Sequence, residues 1–225
     1  MVIFDQPVTH KMDDEPDPRM EGRASRRASK TRKRLLDAAL YVFNTKGIES
    51  CAIEDITESA DVGKGTFYRH FMDKLDILRT LLDLASEDLV LRMPAVNAPA
   101  LSLEDRITQL INAHVTFLLE RSDLFLVFLQ GQTMVATRPS AVPGLQPPFA
   151  RYITELEHRL HPVMTAPSPD SAQVRRFAVA LAAAVCGTIT VGLSILSSKH
   201  DVIINLDLAR QSLLAGTSQQ LRCTV

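Results

Sequence analysis

A short run of residues combines side chains that suit contact with DNA. It reads Gly63-Lys64-Gly65-Thr66-Phe67-Tyr68-Arg69-His70-Phe71. Phe67 and Phe71 are four residues apart, so on a helix they share the face that packs inward. The residues left for the outer face are small, polar or basic: Lys64, Gly65, Thr66 and Tyr68. Such a face can approach the backbone closely and contact phosphates and base edges, so the run is typical of a helix in the major groove.

The elements around this run predict a helix-turn-helix. A helix over about 30–46 ends before Gly47, and a short helix over about 52–60 has Ser50 as a candidate N-cap. A turn at Asp61-Val62 then leads into a second short helix over about 63–70. In this arrangement the last helix enters the groove and the preceding helix braces it across the DNA backbone.

The rest of the chain predicts an all-α protein with about nine helices, without strand signals or internal repeats. The predicted helices are 30–46, 52–60, 63–70, 73–93, 102–121, 122–137, 149–161, 170–198 and 205–221. Proline-containing loops are expected at 138–148 and 162–169. We divide the chain into a disordered charged arm (1–28), a DNA-binding domain (29–75) and a ligand-binding and dimerisation domain (76–225).

Over about residues 31–90 the sequence resembles the tetracycline-repressor (TetR) family of transcriptional regulators. The matching residues are Arg34-Leu35-Leu36-Asp37-Ala38-Ala39, Phe43, Lys46-Gly47, Ile53-Glu54-Asp55-Ile56, Ala60, Val62, Lys64-Gly65-Thr66-Phe67-Tyr68-Arg69-His70-Phe71, Lys74 and Leu78. Beyond about residue 90 the resemblance is one of length and helical order. It implies a dimer whose ligand changes its binding to a near-palindromic DNA operator, and we expect a repressor.

The resemblance also implies residue roles. Thr66, Tyr68 and His70 match the recognition-helix contacts, Lys64 falls where a base is often read, and Lys74 matches a phosphate-binding lysine. Two positions depart from the family pattern. Asp61 replaces the usual turn glycine, and Gly63 replaces the usual Ser or Thr at the cap of the recognition helix. Asp tolerates the left-handed conformation and Gly is an acceptable N-cap, so neither departure overturns the assignment.

The charge distribution is compatible with DNA binding although the whole chain is not basic. The net charge is −1 and the pI is near 6.6. Residues 19–34, however, hold eight basic residues against Glu21 alone, a net charge of +7. A basic arm of this kind binds phosphates and releases counterions, which would add affinity without specificity. The alternative is a solvated tail that only keeps the protein soluble.

The second domain offers candidates for a ligand pocket. They are His114, Phe117, Phe125, Phe128, Met134, Phe149 and Tyr152. Together they predict a largely apolar effector held by few polar groups. The same residues fit an ordinary hydrophobic core equally well, and His114 can be a hydrogen-bonded core histidine.

The charge-free segment 177–198 has two interpretations. It is long enough to span a bilayer, which makes a membrane-associated helical protein the alternative function. Its hydrophobicity is modest and it is rich in Ala, Gly, Ser and Thr, so we favour a dimer interface formed by helices 170–198 and 205–221. Ala184 and Gly192 are the positions we expect in that interface, and we expect no membrane association.

Other classes of protein lack support in the sequence. We find no catalytic motif, so we expect no enzyme, no cofactor and no metal. The pair His158 and His161 is better explained as the polar face of a surface helix. The three cysteines have unrelated spacings and the N-terminal residues lack an apolar signal segment, so we expect a cytoplasmic protein.

Overall fold

The computed structural model describes residues 18–96, 102–138, 140, 144–164, 170–195, 201–202, 204–208, 210–212 and 215. Throughout these residues the regular secondary structure is helical, which confirms the all-α prediction. The helices are α1 (Pro18–Lys46), α2 (Ile53–Ser59), α3 (Lys64–Tyr68), α4 (Lys74–Arg92), α5 (Leu103–Glu120), α6 (Ser122–Thr137), α7 (Gln146–Leu160) and α8 (Ser171–Ile195). A 3₁₀ turn (His161–Val163) follows α7, and residues 201–202, 204–208 and 210–212 are also helical.

The first helix is longer than predicted. It begins at Pro18 rather than near residue 30, so residues 18–28, expected to be disordered, are helical. Proline is acceptable in a first turn, and the following segment is rich in Arg, Ala and Ser with no further proline. The part of α1 that packs around Leu35 is fixed by burial, and adding further turns to an existing helix is easier than starting one, so the helix continues back to Pro18. The remaining part of the expected arm, residues 1–17, lies outside the described residues.

Two other predicted caps and one predicted helix start were wrong. The N-cap of α2 is Ala52 rather than Ser50, because the carboxylate of Asp55 accepts a hydrogen bond from the Ala52 amide at 2.9 Å. Helix α7 begins at Gln146, within the predicted loop 138–148, since its prolines stand in the first turn where no donor is needed. The last helical segment includes residue 201, so Asn205 is not its cap.

Two predicted caps are confirmed by their hydrogen bonds. The side chain of Asp73 accepts from the Asp76 amide at 2.8 Å and starts α4. The hydroxyl of Ser102 accepts from the Asp105 amide at 3.1 Å and starts α5. Gly47 ends α1 with φ +81°, a left-handed conformation that favours glycine.

Helices α1 to α3 form a small domain that packs on a larger helical body. Leu35, Phe43, Ile56 and Phe67 form the centre of the small domain and are fully buried. Helix α4 connects the two parts and packs against α5, α6 and α7, while α6 also contacts α1. Helix α7 in turn packs against α8.

Polar contacts join the small domain to α6. The amide of Asn44 donates to the carbonyl of Asp123 at 3.0 Å. The backbone amide of Ile48 donates to Oε1 of Gln130 at 3.4 Å. A third contact joins Arg138 to Glu49 at 2.9 Å. The loop between α1 and α2 is therefore connected directly to the larger body.

Candidate DNA-binding site

The turn between α2 and α3 is closed by backbone hydrogen bonds. The amide of Asp61 donates to the carbonyl of Glu58 at 3.0 Å, and that of Val62 to the carbonyl of Thr57 at 3.0 Å. Asp61 adopts φ +50°, the left-handed conformation expected at this position from the sequence. Gly63 then caps α3 in an extended conformation that any residue can adopt, so its replacement of Ser or Thr removes only a side-chain cap.

The inner face of α3 is as the sequence predicts. Phe67 is fully buried and Phe71 is 2% exposed. Their ring centres lie 5.8 Å apart, a common separation for packed aromatic pairs. These two rings hold α3 on the hydrophobic core, and the opposite face is turned to solvent.

The outer face of α3 presents the predicted DNA contacts together. Tyr68 is 57% exposed, and Lys64 and Gly65 are also exposed. A Cβ built on Gly65 meets no atom within 4 Å, so the space over this backbone is open. Thr66 is half-buried, and its hydroxyl accepts a hydrogen bond from Arg69 at 2.9 Å. These residues form one surface that a base edge or a phosphate can approach.

Glu54 of α2 is an acidic partner of this surface that sequence reasoning missed. Its carboxylate accepts a hydrogen bond from the ammonium group of Lys64. This hydrogen bond is the main cause that raises the pKa of Lys64 and lowers the pKa of Glu54. Lys64 is therefore charged at neutral pH, and Glu54 engages one of the three donors of its ammonium group.

His70 and Lys74 lie at the edge of the surface. His70 is half-buried and follows α3. Lys74 is also half-buried at the start of α4, and its ammonium group donates to three backbone carbonyls. The acceptors are Ile48 at 2.8 Å, Glu49 at 3.0 Å and Cys51 at 2.7 Å. All three protons of this group are thus engaged, and a phosphate contact would require the release of at least one carbonyl.

The comparison with protein-family models matches this same part of the molecule. Residues 35–81 match the model described as bacterial regulatory proteins, tetR family. This part of the chain is therefore similar to the tetR family of bacterial regulatory proteins. The match extends from the core of α1 through the recognition helix into the second turn of α4, so it includes every residue of the surface described above.

The curated relatives differ in how far they align with this chain. The regulator AcrR of Shigella flexneri is 31% identical over 70 residues, which are 31% of this chain and 33% of AcrR. Four further regulators, all from Pseudomonas putida, align over 30% to 47% of their own length. The repressor KstR of Rhodococcus jostii is 28% identical over 195 residues, 84% of this chain and 85% of KstR. Most of these alignments thus cover about a third of each chain, whereas the alignment with KstR covers most of both chains.

The similarity of fold extends over most of the chain. The TetR regulator TylP of Streptomyces fradiae superposes with a TM-score of 0.64 at 21% identity, covering 84% of this chain and 87% of TylP. At this identity the likeness establishes the fold alone. The order and packing of α4 to α8 thus belong to the TetR fold.

In the larger body, most of the pocket candidates pack against each other. His114, Phe117, Phe125, Phe128 and Tyr152 are fully buried, Phe149 is 9% exposed, and Met134 is partly buried. The rings of Phe128 and Phe149 have centres 5.0 Å apart, and those of Phe117 and Phe125 lie 5.5 Å apart. Nε2 of His114 lies 2.7 Å from the hydroxyl of Tyr152. The aromatic candidates thus fill the space between them in this structure.

Helix α8 has an exposed apolar stripe. Its members are spaced four residues apart: Val179, Ala183, Gly187, Val191 and Ile195. Beside them is an open concavity of about 460 Å³, lined by Gly187, Thr188, Val191, Gly192, Ile195 and Asn205. The two positions expected from the sequence are not on this stripe, because Gly192 is buried within the chain and Ala184 is half-buried. The small residues that the stripe does expose are Ala183 and Gly187.

By length and composition, α8 can also cross a membrane. Among the described residues it is the one helix with this property, and 39% of its most apolar window is buried. The core helix of a soluble protein has the same properties, so this is weak support for membrane insertion. The match of residues 35–81 to the tetR family model outweighs this weak support, so the membrane-associated alternative is set aside.

Proposed function

We propose that this protein is a ligand-responsive, DNA-binding transcription regulator that acts as a dimer on a near-palindromic operator. The observation that carries the proposal is the outer face of α3, where Lys64, Gly65 and Tyr68 are exposed and Thr66 is half-buried. A helix on a rigid base with small, basic and hydroxyl side chains outward has the shape and chemistry to read the major groove. A protein that regulates transcription must reach its DNA operator, so we assign the protein to the cytoplasm.

The proposed mode of regulation is repression. KstR, which aligns over 85% of its own length, is named a transcriptional repressor. A repressor needs only to occupy its operator until a ligand weakens binding. The effector would enter among the aromatic residues between α5, α6 and α7, and the surrounding side chains favour a largely apolar compound. His114 and Tyr152 are the polar groups available to orient it.

The contacts between α6 and the small domain support a route from effector to DNA. A ligand that separates Phe128 from Phe149 would move α6 relative to α7. Helix α6 contacts the loop before α2 through Gln130 and Arg138, so its movement would shift the whole helix-turn-helix. The ligand would thereby favour the conformation whose two recognition helices no longer fit the operator spacing.

The stripe on α8 supports a dimer formed through α8 and the helical segment within 201–212. Its residues are small or apolar, so two chains can approach closely there. Ile204 and Leu208 add exposed apolar surface, at 51% and 54% exposure. Covering these side chains removes apolar area from water, which is the main force in subunit association. A two-fold dimer then places two copies of α3 about one DNA turn or more apart.

A selection experiment tests the proposal directly. The protein is mixed with a randomised pool of DNA duplexes, and the bound fraction is sequenced after several rounds. We expect an enriched sequence with two inverted half-sites. The matched control replaces Thr66 and Tyr68 with Ala, which leaves Phe67 and Phe71 in place to hold the fold. Enrichment of no sequence, or the same enrichment with the control variant, would contradict the proposed function.

A further inference from the structure

Arg32 of α1 contacts the end of the recognition helix rather than projecting into solvent. One terminal nitrogen of its guanidinium donates to the carbonyl of His70 at 3.1 Å. The other donates to the hydroxyl of Thr80 in α4 at 3.4 Å. The guanidinium carbon lies 4.3 Å from the centre of the Phe71 ring, a cation–π distance. Arg32 therefore joins α1 both to the residues that follow α3 and to α4.

Arg34 makes the corresponding contact with the end of α2. Its terminal nitrogen donates to the carbonyl of Ala60 at 2.5 Å and to the carbonyl of Asp61 at 3.2 Å. The carboxylate of Asp61 lies 3.4 Å from the same nitrogen. Asp61 is the left-handed residue of the turn, so Arg34 stabilises the position where the chain reverses between α2 and α3.

Both arginines satisfy backbone carbonyls, and the one that Arg34 binds is the C-cap carbonyl of α2. The last carbonyls of a helix lack partners within it and carry partial negative charge, which attracts a cation. Arg32 and Arg34 are two residues apart on α1, so their side chains leave the helix in different directions. One reaches the carbonyl of His70, two residues beyond α3, and the other reaches the carbonyl of Ala60 at the end of α2. The spacing of the two arginines thus fixes both helices relative to α1.

The basic run therefore divides into two groups. Arg32 and Arg34 are occupied by backbone carbonyls, and Lys33 pairs with Asp37 at 2.8 Å. Arg26 and Lys30, on the preceding turns of α1, are exposed. This second group lies on the part of α1 that precedes the helix-turn-helix, where an exposed cation is free to approach a phosphate.

We propose that Arg32 and Arg34 are positioning residues of DNA binding, which hold the turn and the recognition helix in the orientation that reads bases. This inference rests on the proposed function. The two arginines would contribute to DNA binding by orienting these elements and not by contacting phosphates. Specificity would then depend on two residues of α1 that touch no base.

The test compares Arg32→Gln, Arg34→Gln and Arg32→Lys with Lys30→Gln, an exposed control on the same helix. Affinity for the selected operator and for unrelated DNA is measured across a series of salt concentrations. We expect either glutamine variant to lower operator affinity by about ten-fold, the effect of losing one or two charge-assisted hydrogen bonds. Its salt dependence should be unchanged. Lys30→Gln should flatten the salt dependence by about 0.9 log units for each phosphate that it no longer binds.

A measurement without DNA separates this proposal from the proposed function. Amide hydrogen exchange of residues 66–71 should be faster in Arg32→Gln than in the unmodified protein, with α5 unchanged as an internal reference. Arg32→Lys should restore part of both the protection and the affinity, because its ammonium can donate to His70 but cannot stack on Phe71 as a plane.

Three outcomes would overturn the proposal. They are a salt dependence that flattens in Arg32→Gln as in Lys30→Gln, unchanged exchange at residues 66–71, and unchanged operator affinity. Binding of no DNA by the unmodified protein is a different result, because it refutes the proposed function and this inference falls with it. Normal binding by the unmodified protein together with any of the three refutes only the role of the arginines.

Discussion

The hydroxyl of Tyr152 lies 2.7 Å from Nε2 of His114, in the buried interior between α5 and α7. Nδ1 of the same ring lies 2.7 Å from the carbonyl of Leu110. Because a carbonyl only accepts, Nδ1 carries the proton and donates to it. Nε2 must then accept from the Tyr152 hydroxyl. Both polar groups are satisfied by each other and by the backbone, so the neutral histidine is the form that fits this core.

This arrangement predicts a pH dependence of stability. Burial lowers the pKa of His114 from 6.5 to about 4. The unfolded chain therefore binds a proton between pH 6.5 and 4 that the folded chain does not, and stability falls as the pH drops through this window. The loss from this group alone is about 3 kcal/mol at its lower end.

Urea unfolding across this pH range checks the prediction with two variants. His114→Gln removes the titrating group while its amide oxygen can still accept from Tyr152, so the free energy of unfolding should depend less on pH. Tyr152→Phe should lower stability by about 1–3 kcal/mol but keep the pH dependence. Equal pH dependence in the unmodified protein and in His114→Gln would show that His114 does not titrate as proposed.

The inner face of α3 should contribute to stability and the outer face to binding. Phe67→Ala removes a fully buried ring that packs on Phe71, and we expect it to destabilise the small domain by about 3–5 kcal/mol. Tyr68→Ala is the neighbouring control, since Tyr68 is 57% exposed. It should change stability little and weaken operator binding. Circular dichroism with urea and a binding assay distinguish them, and a stable Phe67→Ala protein would contradict the packing described.

Lys64 and Thr66 should determine base preference. Replacing either with Ala should cost about 1–3 kcal/mol on the selected operator and relax the preference at one position in each half-site. Glu54→Gln is informative in the opposite direction, because it releases Lys64 from its ion pair and removes a negative charge beside DNA. We expect it to raise affinity. The measurement is binding to a panel of single-base operator changes, and unaltered preference in both alanine variants would refute this assignment.

Lys74 should affect every DNA sequence alike. The family resemblance assigns it to phosphate, whereas in the free protein its ammonium group donates to the carbonyls of Ile48, Glu49 and Cys51. We expect Lys74→Gln to weaken binding to operator and unrelated DNA equally and to flatten the salt dependence by about 0.9 log units per phosphate. Lys33→Gln, which removes an exposed lysine paired with Asp37, is the control. An unchanged salt dependence in Lys74→Gln would contradict the phosphate contact. Lys74 would then have only a structural role, through its three carbonyl contacts.

The exposed stripe of α8 allows a test of the dimer that does not disturb the fold of one chain. Ala183→Arg and Gly187→Arg place a charge at exposed positions, and a Cβ on Gly187 meets no atom within 4 Å. Each should leave a folded monomer with weakened operator binding, because an unpaired charge in an apolar interface is strongly unfavourable. Leu91→Arg, at a side chain that is 83% exposed on α4, is the matched control. Light scattering that finds dimers for both α8 variants would place the interface elsewhere.

Local signals in the sequence were sufficient for most helices and for the DNA-binding motif. Gly47, Asp73 and Ser102 end or begin helices through contacts within a few residues, so their types and spacing predict the boundary. The four-residue spacing of Phe67 and Phe71 likewise predicts the inner face of α3. Where two neighbouring residues could cap the same helix, the prediction was wrong. The N-cap of α2 is Ala52, whose amide donates to Asp55, and not Ser50.

The tertiary structure decided what local spacing does not encode. A basic side chain near the helix-turn-helix has the same sequence signature whether it meets a phosphate or a carbonyl. Only the packing of α1 on α2 and α4 brought Arg32 and Arg34 to the carbonyls of His70 and Ala60. Helix α8 is apolar on nearly all sides, so its pattern did not distinguish Ala183 from Ala184, which differ by about 100° around the helix. The partner of a cation and the exposed side of an apolar helix are set by long-range contacts, which exist only once the chain is folded.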